Sequence, residues 1–327
     1  MDDIFLYFLG AGASCNVLPL TSNFTERLHS FANDLQNIGP RNVYDEPDKS
    51  KWDESLMAFH QAIVWLANET AKHASVDTFA KKLFFLKDFE NLRKLKAALS
   101  SYLIIEQSLK YVDTRYDSFL ATILSTDSNG VVRIPPEFRI ITWNYDTQLE
   151  KAFYGFCEDE KNVIENITFD NHIFRINGYC GTNQPGRIGD AFKSVWGSSG
   201  RSVWNTGIEL FNNYMSTLSA SKSPEPDIRF AWEGSTRNRI AKKDMDLSKI
   251  TTVVIIGYSF PYFNREIDYF IFSSLSDGVL KRIYLQYPDG SHATVENRLK
   301  SLLPREVDMI RITEIDMFYI PDEFWVI

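Results

Sequence analysis

The chain has 327 residues, 44% of them hydrophobic and 24% charged, with a formal net charge of −8. That is enough apolar content for a sizeable core, in one large domain or a domain plus an insertion. The acidic balance argues against a nucleic-acid surface spread over the molecule, the strongest apolar run, near Val253 to Ile256, is too short to cross a bilayer, and three scattered cysteines without a C-x-x-C pair encode neither a disulfide framework nor a zinc ribbon.

In chain order, Ile4 to Leu9 is an apolar run closed by glycine, which predicts a strand buried on both faces. It leads into Gly10-Ala11-Gly12-Ala13-Ser14, where Gly10 permits a sharp turn and Gly12 would let the backbone approach a ligand closely. Residues 22–36 then place Phe24, Leu28, Phe31 and Leu35 at helical spacing, with Ser22 as a candidate cap. Strand, glycine turn and helix together suit a nucleotide pyrophosphate, held by exposed amides and the helix dipole. Cys15 stands where the third glycine of G-x-G-x-x-G would be, and no acid ends a second strand about twenty residues on, so an ordinary dehydrogenase is the least favoured nucleotide enzyme.

Residues 37–50 read as a loop. Three helical stripes follow: Leu56, Phe59, Ile63 and Leu66; then Phe79, Leu83 and Leu86; then Leu92, Leu95, Leu99 and Leu103. They predict a helical insertion over residues 37–112 whose stripes pack on one another, with an oligomer interface as the functional alternative. A helix over Tyr116 to Thr126, a strand over Phe138 to Thr142, a helix over Asp146 to Phe156 and a short strand over Ile173 to Ile176 come next. Residues 178–200 are glycine-rich and predict a long loop, a candidate lid. Then follow a helix over Trp204 to Leu218, a strand over Lys249 to Gly257, a helix near Asn264 to Leu275, a strand over Arg282 to Gln286 and a helix over Thr294 to Leu302. Met309 to Thr313 and Phe324 to Ile327 read as edge elements. Strands alternating with helices predict an α/β fold, a Rossmann-like parallel sheet with helices on both faces, over residues 1–36 and 113–327.

Four positions follow strands, and in such a sheet the carboxyl ends of the strands share one crevice. They are Gly10 to Ser14, Thr142-Trp143-Asn144-Tyr145-Asp146, Asn177-Gly178 and Gly257-Tyr258-Ser259-Phe260. An amide such as Asn144 can hold a ribose hydroxyl or a water. Asp146 can do the same, stabilise a developing cation, or simply cap the next helix. Arg265 suits either a phosphate or a surface pair with Glu266 or Asp268, and Trp232 either pocket lining or core packing.

The order GAGAS, T-W-N-Y-D, N-G and G-Y-S-F resembles the sirtuin superfamily, and is most similar to its bacterial antiphage-defence branch, many of whose members cleave NAD. The resemblance covers about residues 3–34 and 115–305. It implies that Gly10, Ala11, Gly12 and Ser14 cradle the NAD phosphates, that Asn144 and Asp146 flank the nicotinamide ribose, and that Gly257 and Ser259 contact the cofactor's ribose and phosphate. Gln286 would face the adenosine. The cysteine-paired zinc module of the protein deacylases is missing, which argues against peptide deacylation and leaves no metal. The family's catalytic His in an H-G step is here Asn177, which cannot accept a proton at neutral pH; His172 sits at the far end of its strand. Glycosidic cleavage runs through an oxocarbenium-like transition state in which bond breaking leads, so a water needs little activation, and a positioned base is worth only about 10²–10⁴-fold. The resemblance therefore implies a cytoplasmic NAD glycohydrolase acting in defence, or a catalytically silent NAD or ADP-ribose sensor gating a partner. It also implies a homo-oligomer that works with a second component, such as a translocase-type ATPase or an Argonaute-like sensor, without touching membrane or nucleic acid. The chain opens on Met1-Asp2-Asp3, so no secretory leader is expected.

Overall fold

A strand with both faces covered reads as a nearly continuous apolar run, and every residue of β1 (Phe5–Leu9) and of Thr252–Ile256 is buried, Thr252 being the one threonine among them. In the computed structural model, which describes residues 3–38, 49–128, 130–157, 172–182, 201–216, 225–233, 240 and 246–326, these two strands lie side by side at the centre of a six-stranded parallel sheet.

The elements run in chain order from β1 through α1 (Phe24–Asn37), α2 (Lys49–Thr70), α3 (Val76–Phe85), α4 (Phe89–Ser108) and α5 (Thr114–Ile123). A small hairpin of β2 (Ser125–Thr126) and β3 (Val132–Arg133) precedes β4 (Phe138–Thr142), α6 (Gln148–Tyr154) and β5 (Ile173–Arg175). Then come β6 (Gly178–Thr182), α7 (Arg201–Met215), β7 (Pro226–Ile228), β8 (Thr252–Ile256), α8 (Arg265–Ser276), β9 (Arg282–Gln286), α9 (His292–Lys300) and β10 (Asp308–Ile312). The main sheet has the order β10-β9-β8-β1-β4-β5. Numbered by their own succession, its strands run 3-2-1-4-5-6, the doubly wound order in which the topological switch falls between the first and fourth strands, here β1 and β8.

Alternate residues of β1 serve the two faces. Leu6 and Phe8 join Ile141, Val253, Ile255, Ile283 and Leu285 under Ile267, Ile271, Phe272 and Leu275 of α8 and Val295 and Leu299 of α9. Phe5 and Tyr7 stack on Phe138 at centroid distances of 5.6 and 5.8 Å, and Tyr7 meets Phe119 of α5 at 4.6 Å on the other face. The expected α/β architecture is therefore what the chain adopts. Truncating a ring such as Phe8 to alanine would cost about 3–5 kcal/mol.

The chain divides into two compact units, one of Met1–Cys15, Val112–Gly178 and Arg229–Ile327, the other of Asn16–Tyr111 and Tyr179–Ile228. The first holds the sheet. The second is helical and larger than the expected insertion over 37–112: it takes in α1 and α7. The reason lies in their apolar faces. Phe31 of α1 packs edge-on to Phe59 of α2 at 6.3 Å, and Phe59 meets Phe211 of α7 at 5.1 Å, so both helices complete the α2 stripe.

Other expectations are corrected locally. The helix after the glycine turn starts at Phe24 with Asn23, not Ser22, at the cap position and no side-chain cap bond. Residues 178–182 form a strand paired with β7 instead of opening a loop; Gly186 and Gly189 of the expected lid lie outside the described residues. Phe324, expected in an edge element, lies in a 3₁₀ turn over Asp322–Val326 and packs on Phe138 at 5.1 Å; Ile327 lies outside the described residues. Leu86, read as the third member of a core stripe, is exposed, while Phe79 and Leu83 are buried. Among the described residues no helix is long and apolar enough to cross a membrane.

Candidate functional site

Ala11–Ser14 is a single 3₁₀ turn, not the start of a long helix; α1 begins ten residues past Ser14 and belongs to the other unit. The glycine loop is instead laced to the loop after β8. The Gly10 amide donates to the Ile256 carbonyl and the Gly12 amide to the Gly257 carbonyl, each at 3.0 Å, while the Ala13 amide returns to Gly10. A Cβ on Gly12 would stand 2.7 Å from the Gly257 Cα, and one on Gly257 would stand 2.4 Å from the Gly12 Cα. The close approach that Gly12 permits is thus to the protein's own backbone. Gly257 also has φ of +61°, and Phe260 three residues on has φ of +50°. A phenylalanine there costs of order 1 kcal/mol or more and is held by its packing on Tyr258 and Phe272, at 4.8 and 5.5 Å.

Side chains rather than amides make up the neighbouring half of the rim. Asn144, after β4, is buried; its Nδ2 donates to the Gly10 carbonyl at 2.9 Å and to Ser14 Oγ at 3.3 Å, tying the two loops together. Ser14 Oγ shares a 3.0 Å hydrogen bond with the Tyr116 hydroxyl of α5. Asp146 accepts from the Gln148 amide at 3.0 Å, so it does cap α6. Burial pushes its carboxyl above the ordinary aspartate range, against the opposing pull of the Gln148 amide, the Arg175 guanidinium and the Ser14 hydroxyl. Asn177 donates from Nδ2 to the Trp143 carbonyl at 2.9 Å, joining the ends of β5 and β4. Its Oδ1 is buried without a hydrogen-bond partner, and so is Trp143 Nε1. Two polar atoms left open at adjacent strand ends cost about 1–3 kcal/mol each until a ligand or water completes them.

Two arginines, which sequence patterns gave no reason to single out, hold these turns. Arg115 of α5, itself buried, donates to the carbonyls of Gly12 and Ala13 at 3.3 and 3.1 Å and pairs with Asp113 at 2.5 Å. Arg175, at the end of β5, donates to the Asp146 carbonyl at 2.8 Å and to that of Asn144 at 3.4 Å, and forms an ion pair with Glu150 of α6. The only forewarning of either was an arginine beside a strand end or helix start.

Gly10, Ala11, Gly12, Ser14, Asn144, Asp146, Asn177, Gly257 and Ser259 therefore lie on one rim of the sheet, with Ala11 and Ser259 exposed on it. Gln286 ends β9 at the level of Ile256, but its amide is fully engaged: Nε2 donates to the carbonyls of Glu314 and Met317, each at 2.6 Å, and Oε1 accepts from the Tyr319 amide. It pins the C-terminal segment rather than reaching outward. Arg265 donates to the carbonyl and hydroxyl of Ser301, and its charge also acts on the Asp268 carboxyl. Trp232 stacks on Phe230 at 5.4 Å. His172 sits at the opposite end of its strand, its Nδ1 2.7 Å from the Phe138 carbonyl oxygen. Among the described residues no three His, Cys, Asp or Glu side chains gather where a metal could be held.

No family model matches this chain, and neither a curated protein nor a solved structure was matched to it. What the fold and the rim define is a doubly wound α/β protein whose polar strand-end loops meet at the topological switch, where such sheets bind their ligands.

Proposed function

We propose that the rim binds a nicotinamide dinucleotide such as NAD and hydrolyses its nicotinamide–ribose bond. The observation that carries this reading is Asn144, whose one side-chain amide joins the glycine loop to the β4 turn, one strand from the switch between β1 and β8, beside buried polar atoms that the protein leaves without partners. In the reaction the C1′–N bond breaks with its electron pair leaving on nicotinamide. A water oxygen bonds to C1′, and the water's proton passes to the Asp146 carboxylate and on to solvent. The burial that raises the basicity of Asp146 suits it to that task better than an ordinary aspartate. Asn144 orients the ribose or the water, and the Trp143 indole and the Asn177 amide oxygen are donor and acceptor for the ligand's polar groups.

A second reading has a specific observation in its favour. Asn177 stands where a proton acceptor would be wanted, and its Nδ2 is occupied by the Trp143 carbonyl; a site that binds the dinucleotide and gates a defence partner without cleaving it needs no base. The experiment is to incubate the full chain with NAD, following nicotinamide release by chromatography and binding by calorimetry. Release that falls about 10²-fold or more in Asn144→Ala and Asp146→Ala, with the fold intact, is expected. Binding with NAD left intact selects the sensor, and absence of both overturns the assignment.

A further inference from the structure

The corner between α3 and α4 displays four large apolar side chains to solvent: Phe85 is 71% exposed, Leu86 67%, Phe89 58% and Phe84 41%. Their rings form one patch, with Phe84 at 6.1 Å from Phe85 and 6.3 Å from Phe89. The corner is also rigid. The Lys87 amide donates to the Phe84 carbonyl and the Asp88 amide to the Leu83 carbonyl, each at 3.0 Å, which closes α3 in the Schellman manner. Lys87 fills the left-handed position, φ +56°, that glycine usually occupies. Asp88 then caps α4 through the Asn91 amide. A display fixed by backbone bonds loses little entropy when it is covered.

Charges of both signs flank the patch, and Arg93 and Lys94 follow further along α4. Lys81, Lys82 and Lys87 lie on the α3 side, with the Lys81 ammonium 5.9 Å from the Phe85 ring centre; Asp88 and Glu90 lie on the α4 side. An anionic bilayer would meet the acids as well as the lysines. A second copy turned by a two-fold axis would set each copy's lysines against the other's acids and ring against ring. The four side chains offer roughly 450 Å² of apolar surface, and with their charged rim they approach the ~800 Å² per partner of a standard interface. We propose that this corner is an isologous docking surface for a second copy of the chain.

Sedimentation velocity and light scattering on the full chain test it. A dimer with a dissociation constant on the order of 10 μM is expected. Phe85→Ser with Phe89→Ser should weaken it at least about 30-fold, with the circular dichroism unchanged because both rings face solvent. Lys82→Glu alone and Glu90→Lys alone should each weaken it about 10-fold, and the two together should restore it. A monomeric wild-type chain, a dimer indifferent to the Phe85 and Phe89 changes, or a double charge exchange that stays weak would each overturn the proposal. So would a chain that floats with phosphatidylglycerol vesicles while remaining monomeric.

Discussion

The two halves of the rim use the same fastening for different ends. In the half made by β1 and β8, Arg115 grips the carbonyls of Gly12 and Ala13 while paired with Asp113; in the half made by β4 and β5, Arg175 grips the carbonyls of Asn144 and Asp146 while paired with Glu150. Past that, the halves part. Backbone meets backbone in the first, with no space for a Cβ between Gly12 and Gly257. The second holds amides, a carboxyl that burial pushes above the ordinary aspartate range, and two buried polar atoms without a hydrogen-bond partner. The glycine motif, the most conspicuous feature of the sequence, packs its Gly12 against the protein's own backbone at Gly257, and the buried amides and carboxyl of the other half stand beside it.

That contrast is breakable at the arginines first. Arg115→Ala removes the buried cation facing a fully buried Asp113 carboxylate, and should lower stability by about 3–5 kcal/mol. Arg175→Ala, at a pair with more solvent contact, should cost about 2 kcal/mol. Urea midpoints at unchanged slope measure both, and the reverse order would undo the distinction. A finer cut uses two glycines of positive φ. Gly130→Ala, with nothing near its Cβ, should cost about 1 kcal/mol, and Gly257→Ala, pressed on Gly12, about 3 kcal/mol. Equal costs would mean that the loops can move apart.

The smallest effect concerns two buried carboxyls that burial pushes upward, Asp268 of α8 and Asp146 after β4. Asp268 accepts the Tyr258 hydroxyl on both oxygens at 3.0 Å, and burial raises it well above the aspartate range; Asp146 is raised for the same first reason. A folded-state value above the unfolded one, about 3.9, means that the folded chain keeps a proton the unfolded chain releases. Stability should therefore fall as pH rises from about 4 through the raised values, and the slope should flatten in Asp268→Asn and, less, in Asp146→Asn. Denaturation midpoints between pH 4 and 7 check it; parallel slopes in all three proteins would show that these carboxyls ionise alike folded and unfolded.

Gln286 and Leu86 show where reading the sequence stops. Both sat correctly in their elements, at the end of β9 and the end of α3, yet the C-terminal segment claims the Gln286 amide, and the corner after α3 turns Leu86 outward. Tyr116 was legible only as the start of a helix, and Arg115 fell just outside the expected helix; their reach to Ser14 and to the glycine loop crosses about a hundred residues of chain.

The amino-acid sequence by itself determined the alternation of buried strands and amphipathic helices, and with it the parallel sheet, because burial on both faces demands unbroken apolar runs and helical burial demands its own spacing. It also determined that polar and small residues follow those strands. Only the tertiary structure decided the strand order that brings β1 beside β8, the capture of α1 and α7 by the helical unit, and which backbone Gly12 approaches. Those outcomes depend on contacts between residues far apart in the chain, and local pattern carries no information about which distant surface a residue will meet.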